Sequence, residues 1–531
     1  MGKASFRNRL FGCMGAAFLA TMPMAAHAQE QGGTLIMIVQ PEPPSLASYM
    51  STSQPIGQVA TKVYDGLLEY DSDTVEQPAL AESWEISEDG LSITFNLRQG
   101  VRWHDGEPFT SADVAFTFMD VLREFHPRGN NNLRALEAVD TPDEHTAIFR
   151  LSTPAPYIMR ILSSYESPIV PKHLFEGQDV REYSNANTPI GTGPFRFVEW
   201  RRGQFMQFDR NEDYWRDGKP YLDRIIARFI SDTGTRTAAM ETGEAHVTAY
   251  NHIATEDLDY LDSLPHIEVT TDGYEMMPGV NFLIFNTTEP PFDDVRVRQA
   301  VSYAVDRQFI IDAVYNGFGV PGTSPISSKM IWYSDNVRRY DVEDRIERAN
   351  ALLDEAGFPR GDNGIRFQIT HDIQPYGEVW MRFGEIVVQN LAQIGIEARI
   401  RYEDTPTWLT RVYTNYDFTM TSTSYFNFSD PVIGVHRGYH SNQIIPGTVF
   451  VNASRWYSQE TDDLMDKAAV ELDFDTRMAL YEEFQQLIVE AAPHVFAVEP
   501  SLVTVYNNSV HGLLESPFGS FWGMDRVWIE Q

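Results

Sequence analysis

Cysteine is nearly absent from this chain, since Cys13 is the only one among 531 residues. It lies in an N-terminal stretch that starts with basic residues, continues with a mostly apolar run over 10–24 and ends in Ala26-His27-Ala28, with the small residues that a signal peptidase requires. We therefore predict a signal peptide over residues 1–28 and a mature chain that starts at Gln29. Gly12-Cys13 superficially matches a lipoprotein box, but it precedes most of the apolar run. Removal of the signal takes the thiol with it, which excludes disulfides, and a chain of this size does not need them.

Long apolar runs and basic residues are also scarce. After the signal, no segment approaches the roughly 20 apolar residues of a membrane-spanning helix. The chain has 41 Lys and Arg against 75 Asp and Glu, a formal net charge of −34. Such an acidic surface repels nucleic acid and anionic lipid, which argues against both as partners. Together with the signal peptide, these features predict a protein of the periplasm of a Gram-negative bacterium.

The common catalytic motifs are missing as well. The sequence contains no HExxH, GxSxG, GxxxxGK[ST] or paired CxxC, the usual signatures of zinc, nucleophile and nucleotide sites. Gly317–Gly322 fits GxGxxG, but it follows a predicted helix and contains a proline, whereas a dinucleotide fingerprint needs a strand before it and a helix after it. His436 and His440 are four residues apart without a helical pattern between them. We therefore predict no enzyme, no cofactor and no metal site.

What the sequence does contain is a dense series of short strands and helices. Ser83–Ile86 and Ser92–Leu97 alternate apolar and polar residues around a turn at Glu88-Asp89-Gly90, which predicts a β-hairpin. Thr110 or Ser111 can cap the helix that follows. Because 531 residues exceed one ordinary core, we expect at least two lobes.

Strands and helices alternate in the second half of the chain, which predicts a three-layer α/β lobe. A core strand is predicted at Val280–Asn286. One long helix is predicted after it, capped by Asp293 or Asp294, carrying Phe309 on its buried face and ending at Gly317.

These segments resemble a known family. LAESWEISEDGLSITFNLRQGVRWHDGEPFTSADV, from Leu80, is similar to the signature of the large solute-binding proteins of ABC importers, which include dipeptide-, oligopeptide- and nickel-binding proteins. GTGPFRFVEW, RNEDYWRDGKPYLDRI, PPFDDVRVRQAVSYAVDR and ANALLDEAGF follow in the order expected of that family. The resemblance implies a periplasmic binding protein-like fold, with two α/β lobes joined by crossover strands and an extra subdomain in the first lobe.

The resemblance also implies a division of the chain. It places the first lobe in three pieces that flank a subdomain and enclose the second lobe. The predicted limits are 1–28 for the signal peptide, 29–59 for the start of lobe I, 60–189 for its extra subdomain, 190–278 for its second part, 279–494 for lobe II and 495–531 for the return to lobe I.

The family resemblance points to the segment 417–440 as the informative part of the ligand site. Peptide-binding relatives hold the ligand's terminal ammonium with an aspartate four residues before a proline, and the corresponding residue before Pro431 is Asn427. An asparagine accepts a hydrogen bond but supplies no charge, so the anchor is weakened unless Asp430 takes its place. The tryptophan that often precedes this loop is replaced by Thr423 or Ser424, followed by Tyr425 and Phe426.

Further candidates follow from the same resemblance. Trp408 matches an aromatic position across the cleft, where it either stacks on the ligand or packs in the core. The remaining candidates are loop residues that the family brings near the ligand: Gln374, Tyr376, Tyr250, Asn251 and Glu42. Of these, Glu42 is equally well explained as a solvated loop carboxylate.

The resemblance predicts the function as well. We expect the periplasmic solute-binding component of an ABC importer, a monomer that captures a peptide or peptide-like solute by hinge closure and delivers it to a permease in the inner membrane. Asn427 favours the alternative of a non-peptide solute, such as an opine, an amino-acid conjugate, a sugar or a metal chelate. An exported enzyme or chaperone on the same scaffold is the remaining alternative.

If the predicted alignment of the ligand loop is right, Asn427→Ala and Trp408→Ala should each weaken solute binding and leave the fold intact. Affinity can be measured by calorimetry, and circular dichroism checks the fold. Unchanged affinity in both variants would show that the alignment is wrong.

Overall fold

The computed structural model describes residues 31–181 and 187–530, so the predicted signal peptide lies outside the described residues. The strands run in chain order as β1 (Thr34–Ile38), β2 (Leu68–Tyr70), β3 (Glu76–Pro78), β4 (Ala81–Ile86), β5 (Ser92–Leu97), β6 (Leu136–Asp143), β7 (Thr146–Leu151), β8 (Phe195–Arg201), β9 (Phe205–Arg210), β10 (Arg224–Arg228), β11 (Val247–Thr248), β12 (Ile267–Thr270), β13 (Gly279–Phe285), β14 (Gly319–Pro321), β15 (Phe367–Ile373), β16 (Ile396–Arg401), β17 (Met420–Phe426), β18 (His494–Pro500), β19 (Thr504–Asn507), β20 (Val510–His511) and β21 (Trp528–Ile529).

The α-helices of the described residues are distributed among these strands. They are α1 (Gln54–Ala60), α2 (Ser111–Phe116), α3 (Arg123–Phe125), α4 (Gly129–Asn132), α5 (Lys172–Phe175), α6 (Thr233–Glu241), α7 (Thr255–Asp262), α8 (Val295–Ala304), α9 (Arg307–Tyr315), α10 (Arg345–Glu355), α11 (Glu378–Gln393), α12 (Thr405–Leu409), α13 (Pro431–Gly434), α14 (Gln459–Val470) and α15 (Phe474–Ala491).

A seven-stranded sheet forms the centre of the first lobe, in the order β12-β19-β11-β1-β10-β9-β8. Strand β1 is parallel to both β10 and β11. Apolar side chains cover both faces of this sheet, because Leu35 and Met37 pack into one core and Ile38 into another on the opposite side. We use the name first lobe for this sheet, the elements packed on it and the two crossing segments bonded to it, 31–278 and 501–530 among the described residues.

A four-stranded antiparallel sheet, β4-β5-β7-β6, is attached to the first lobe. The predicted hairpin is confirmed, because β4 and β5 pair from Trp84 with Phe95 to Ile86 with Ile93. The predicted cap is confirmed too, since α2 begins after Thr110, whose backbone N–H donates to Asp113 Oδ2 at 2.8 Å.

The second lobe, residues 279–500, has its own sheet in the order β14-β18-β13-β17-β15-β16 and its own hydrophobic core. Helix α11 packs on β15 and β16, while α8 and α9 pack near β18. All but one residue of β13 is buried, which explains the nearly continuous apolar sequence VNFLIF. Two separate sheets with separate cores confirm the predicted two α/β lobes.

The prediction of a single long helix after β13 is wrong. The structure has two helices, α8 and α9, and Val305 between them has an extended backbone. Asp306 starts α9 by accepting a hydrogen bond from the Phe309 N–H at 3.0 Å, so a second cap interrupts the apolar pattern. Phe309, expected on the buried face, is exposed.

The last crossing between the lobes comes later than the predicted boundary at 495. Strand β18 pairs with β13 and β14 in the second sheet, and the chain joins the first sheet only at β19. The reason is that His494–Pro500 is a buried central strand rather than a connection. None of the described helices combines the length and apolar character needed to cross a membrane.

The Asp65 carboxylate holds the segment after α1 against the loops before β8 and after β9. It accepts hydrogen bonds from Trp215 Nε1 at 2.8 Å, from the Thr192 hydroxyl at 3.1 Å and from the Tyr214 hydroxyl at 3.4 Å. Burial raises the pKa of Asp65 from 3.8 to about 6, against the lowering effect of the Trp215 hydrogen bond. Because the folded state holds the proton more tightly than the unfolded chain, the stabilising contribution is complete below pH 3.8 and is lost as the pH rises through 6.

We predict that Asp65→Asn removes this pH dependence. Relative to the variant, the native chain should lose up to about 3 kcal/mol of unfolding free energy between pH 4 and pH 7, measured by urea denaturation at both pH values. Asp89→Asn is the matched control, because hydrogen bonds from Ser87 and Leu91 lower the pKa of that exposed carboxyl and the difference should have the opposite sign. A pH-independent difference for Asp65→Asn would contradict the assignment.

Candidate functional site

A cavity of about 210 Å³ lies where the chain crosses between the two lobes. Asn251 and Tyr274 line it from the first lobe, and Asn281, Ser424 and Glu499 line it from the second. The connections at 277–279 and 500–502 form part of its wall. A pocket between lobes with a few polar groups among apolar ones is the usual form of a small-molecule site.

Side chains of the first lobe hold the two crossing segments in place. Tyr274 shares a hydrogen bond of 2.7 Å with the Thr504 hydroxyl and accepts one from the Tyr250 N–H at 2.9 Å. Asn251 accepts from the Val503 N–H at 2.5 Å and donates to the Ser501 carbonyl at 3.2 Å. The two crossings are therefore fastened to one another through the first lobe.

Tyr250 and Asn251, both predicted site residues, have φ angles of 63° and 60°. Two successive non-glycine residues in the left-handed region are strained, and such strain concentrates at functional sites. The structure places Asn251 in the cavity lining, while the Tyr250 ring stacks on Phe426 with centroids 6.5 Å apart.

Strand β17 presents alternate side chains to the cavity. Ser424 and Phe426 line it, as predicted for this segment. Tyr425 points to the opposite face, where its hydroxyl donates to the Val451 carbonyl at 2.7 Å. The period of two along a strand explains why the three neighbours do not share one environment.

Asn427 lies outside the cavity lining because its amide is used within the protein. Its Oδ1 accepts a hydrogen bond from the Ser327 N–H at 2.7 Å, and its Nδ2 donates to the Pro325 carbonyl at 3.2 Å. Its backbone N–H donates to the Pro278 carbonyl at 2.8 Å. The side chain is buried, and Gly434 lies so close to the Asn427 carbonyl that a Cβ there would clash. In this structure Asn427 connects loops of the second lobe.

Asp430 is also directed away from the cavity. Its two carboxylate oxygens accept hydrogen bonds from Arg477 Nη1 and Nη2 at 2.8 and 2.9 Å, and Oδ1 caps α13 by accepting from the Val432 N–H at 3.0 Å. Both members of the ion pair are buried. The charge of Asp430 is therefore compensated inside the second lobe, which removes it as a substitute for the missing ammonium anchor in this conformation.

Trp408 packs in the core of the second lobe. It is 1% exposed, and its Nε1 donates to the Thr421 hydroxyl at 3.1 Å. The Tyr376 ring meets it edge to face at 6.4 Å and is half exposed, whereas Gln374 is buried with no hydrogen bond to its Oε1 among the described residues. The lining of the cavity does not include these three predicted residues.

Glu42 has structural partners in the first lobe. Its carboxylate accepts from Trp200 Nε1 and from the Gly203 N–H, both at 2.9 Å. The carboxylate therefore fixes the β8–β9 hairpin to the loop after β1. A ligand role for these displaced residues stays a prediction.

Sequence reasoning missed several lining residues. Glu499 and Lys329 bring opposite charges to the cavity, Asn281 donates to the Tyr315 hydroxyl at 2.6 Å, and Trp380 adds an apolar wall from α11. A usable signal was present, because Asn281 is the single polar residue of the strand GVNFLIF and Glu499 is the single acidic residue of the strand HVFAVEP.

Apolar packing and a small number of hydrogen bonds among the described residues join the two lobes around this cavity. Lys329 Nζ donates to the Thr271 carbonyl at 3.2 Å, and the Ser429 hydroxyl donates to the Arg160 carbonyl at 2.8 Å. Phe428 packs into the first lobe's core with the Arg128 guanidinium 4.5 Å from its ring centroid. Among the described residues, no three His, Cys, Asp or Glu side chains come together as a possible metal site.

Two α/β lobes, two fastened crossings and a cavity between them define a solute-binding protein. The chain belongs to the bacterial extracellular solute-binding proteins, family 5, whose model ("family 5 Middle") matches residues 76–444. It is the substrate-binding type of ABC transporter component.

Relatives match nearly the whole chain. Heme-binding protein A of Haemophilus influenzae is 30% identical over 515 residues, covering 90% of this chain and 88% of that protein. The dipeptide-binding protein of Escherichia coli is 28% identical over 94% of this chain and 96% of its own. The solved structure of the periplasmic binding protein AgaA from A. tumefaciens R10, in complex with agropinic acid, is 28% identical with a TM-score of 0.73 and covers 94% of this chain and 99% of that one.

We predict that Asp430→Ala lowers the free energy of unfolding by about 3–5 kcal/mol, because it leaves Arg477 buried without its anion. Asp341→Ala is the matched control, since the Asp341–Arg339 pair is exposed and should contribute only about 0–1 kcal/mol. Chemical denaturation measures both changes. Equal losses in the two variants would contradict the buried ion pair.

Proposed function

We propose that this chain is the periplasmic solute-binding component of an ABC importer, and that it captures a peptide or peptide-like solute without chemical turnover. The observation that supports the proposal most directly is the cavity at the two lobe crossings, with polar and apolar groups from both sides. The dipeptide-binding relative, which covers nearly the whole chain, supports a peptide solute. Delivery to an inner-membrane permease and a monomeric state belong to the same proposal.

The size of the cavity favours a small solute. About 210 Å³ is below the roughly 300–1,000 Å³ of typical ligand pockets. A dipeptide or a single modified amino acid suits this volume better than a long peptide or a heme, which would require the lobes to separate further.

Capture proceeds by hinge closure in this proposal. The lobes have separate cores and are joined by two connections and few polar contacts, so they can move as rigid bodies about 271–278 and 501–503. A solute that contacts both lobes stabilises the closed arrangement by its difference in affinity for the closed and open forms.

A non-peptide solute is the second candidate. Asn427 carries no charge and is committed to Ser327 and Pro325, so the peptide-ammonium anchor of relatives is not reproduced at this position. AgaA, which was solved with agropinic acid, has the same fold. Opines and other amino-acid conjugates fit this candidate.

We predict that a thermal-shift screen of the mature chain against dipeptides, including Met-Leu, and agropinic acid will identify the solute class. A ligand at 100 times its dissociation constant should stabilise the chain by about 2.7 kcal/mol. Ser424→Tyr, which fills the cavity, should abolish the shift, whereas Ser263→Tyr on the exposed surface should retain it.

Three outcomes of the screen separate the alternatives. A shift with agropinic acid and none with dipeptides would support the second candidate. Conversion of a bound ligand, followed by mass spectrometry, would support an exported enzyme and contradict binding without turnover. A shift that persists in Ser424→Tyr would place the solute elsewhere.

A further inference from the structure

Glu499 is the carboxylate of the cavity between the lobes. It is the penultimate residue of β18 and is 5% exposed. Its Oε2 accepts hydrogen bonds from the Ser327 hydroxyl at 2.6 Å and from the Ser328 N–H and hydroxyl, both at 2.9 Å. Among the described residues, its Oε1 accepts only the same Ser328 N–H, at 3.1 Å. Neutral donors therefore orient the carboxylate and leave much of the capacity of Oε1 unused.

Lys329 lowers the pKa of this group by its charge but does not form an ion pair with it. Among residues 31–181 and 187–530, no Lys, Arg or His nitrogen forms an ion pair with Glu499, and the nearest cationic influence is Lys329, whose ammonium donates to the Thr271 carbonyl. Burial raises the pKa of Glu499, and the serine hydrogen bonds act in the opposite direction. A buried carboxylate without an ion-pair partner is costly, and a cationic group of a solute in the cavity would compensate it.

The hydrogen bonds of Asn427 support the orientation of the Glu499 carboxylate. Its Oδ1 accepts a hydrogen bond from the Ser327 N–H, and the Ser327 hydroxyl in turn donates to Glu499. Asn427 therefore positions the serine that orients the carboxylate. An aspartate at 427 could not donate to the Pro325 carbonyl as Asn427 does. It would also place a second anion one serine away from Glu499, which like-charge repulsion disfavours.

We infer that Glu499 selects solutes that carry an ammonium or another cationic group, by forming a charge-assisted hydrogen bond with that group inside the closed cavity. The inference rests on the proposed function of the cavity as the solute site. Ser327 and Ser328 orient the carboxylate, and Asn427 is a positioning residue that acts through Ser327. The negative charge of the site thus lies on β18 rather than on the loop before Pro431.

The test uses paired probes on the mature chain. The first series carries a free amine, with Met-Leu, other dipeptides and amino-acid amides, and the second series contains the N-acetylated form of each. Affinities at pH 7 are measured by calorimetry for the native chain, for Glu499→Gln and for Glu256→Gln, a matched control on the exposed first turn of α7. Circular dichroism and thermal unfolding establish that the variants are folded.

The native chain should prefer the amine form by roughly tenfold or more, the effect of a hydrogen bond between charged groups. Glu499→Gln, whose amide oxygen can still accept from the serines, should lose that preference through weaker binding of the amine form alone. Glu256→Gln should behave like the native chain. This pattern separates charge recognition from a purely structural role, which would weaken both series equally.

The opposing outcomes are distinct. Equal affinity for the two series, or an unchanged preference in Glu499→Gln, overturns the inference and leaves the cavity as a solute site. Binding of neutral or anionic probes alone would also overturn the inference and leave the cavity as a solute site. Absence of binding in both series contradicts the proposed function together with the inference.

Discussion

The two chain crossings between the sheets constrain the whole molecule, because relative movement of the lobes has to pass through residues 271–278 and 501–503. Tyr274 and Asn251 fasten both crossings to the first lobe by hydrogen bonds to Thr504, Val503 and Ser501. The wall of the cavity beside the crossings is therefore tied to the first lobe by hydrogen bonds.

Each sheet packs on its own large hydrophobic cluster. The lobe interface adds the packing of Phe428, Val432 and Ile433 against the first lobe and a small number of hydrogen bonds. If capture proceeds by hinge closure as proposed, the binding energy of a solute shifts the population from the open to the closed form.

The sequence predicted those strands and helix ends that are determined by neighbouring residues in the chain. The alternation of Ser92–Leu97 and the cap at Thr110 are local signals, and the structure confirms both. The break between α8 and α9 was missed because Asp306 lies within a continuous apolar pattern and only its capping bond to Phe309 shows that a new helix starts there.

The candidate site was predicted less completely, for a physical reason. The resemblance located the strand that carries Ser424 and Phe426, both of which line the cavity. It could not show that Asn427 bonds Ser327, 100 residues away in the chain, or that Asp430 pairs with Arg477, 47 residues away. Position along a strand follows from pattern, but the partners of a polar side chain depend on long-range packing. Glu499 went unnoticed because it is a single charge at the end of an apolar strand.

Two hydrogen bonds across the lobe interface have main-chain acceptors. Lys329 donates to the carbonyl of Thr271, and Ser429 donates to the carbonyl of Arg160. Every residue type has a backbone carbonyl, so substitutions at 271 or 160 that preserve the backbone leave these contacts in place. Side-chain identity therefore matters to these two hydrogen bonds on the second lobe only, where they need the ammonium of Lys329 and the hydroxyl of Ser429.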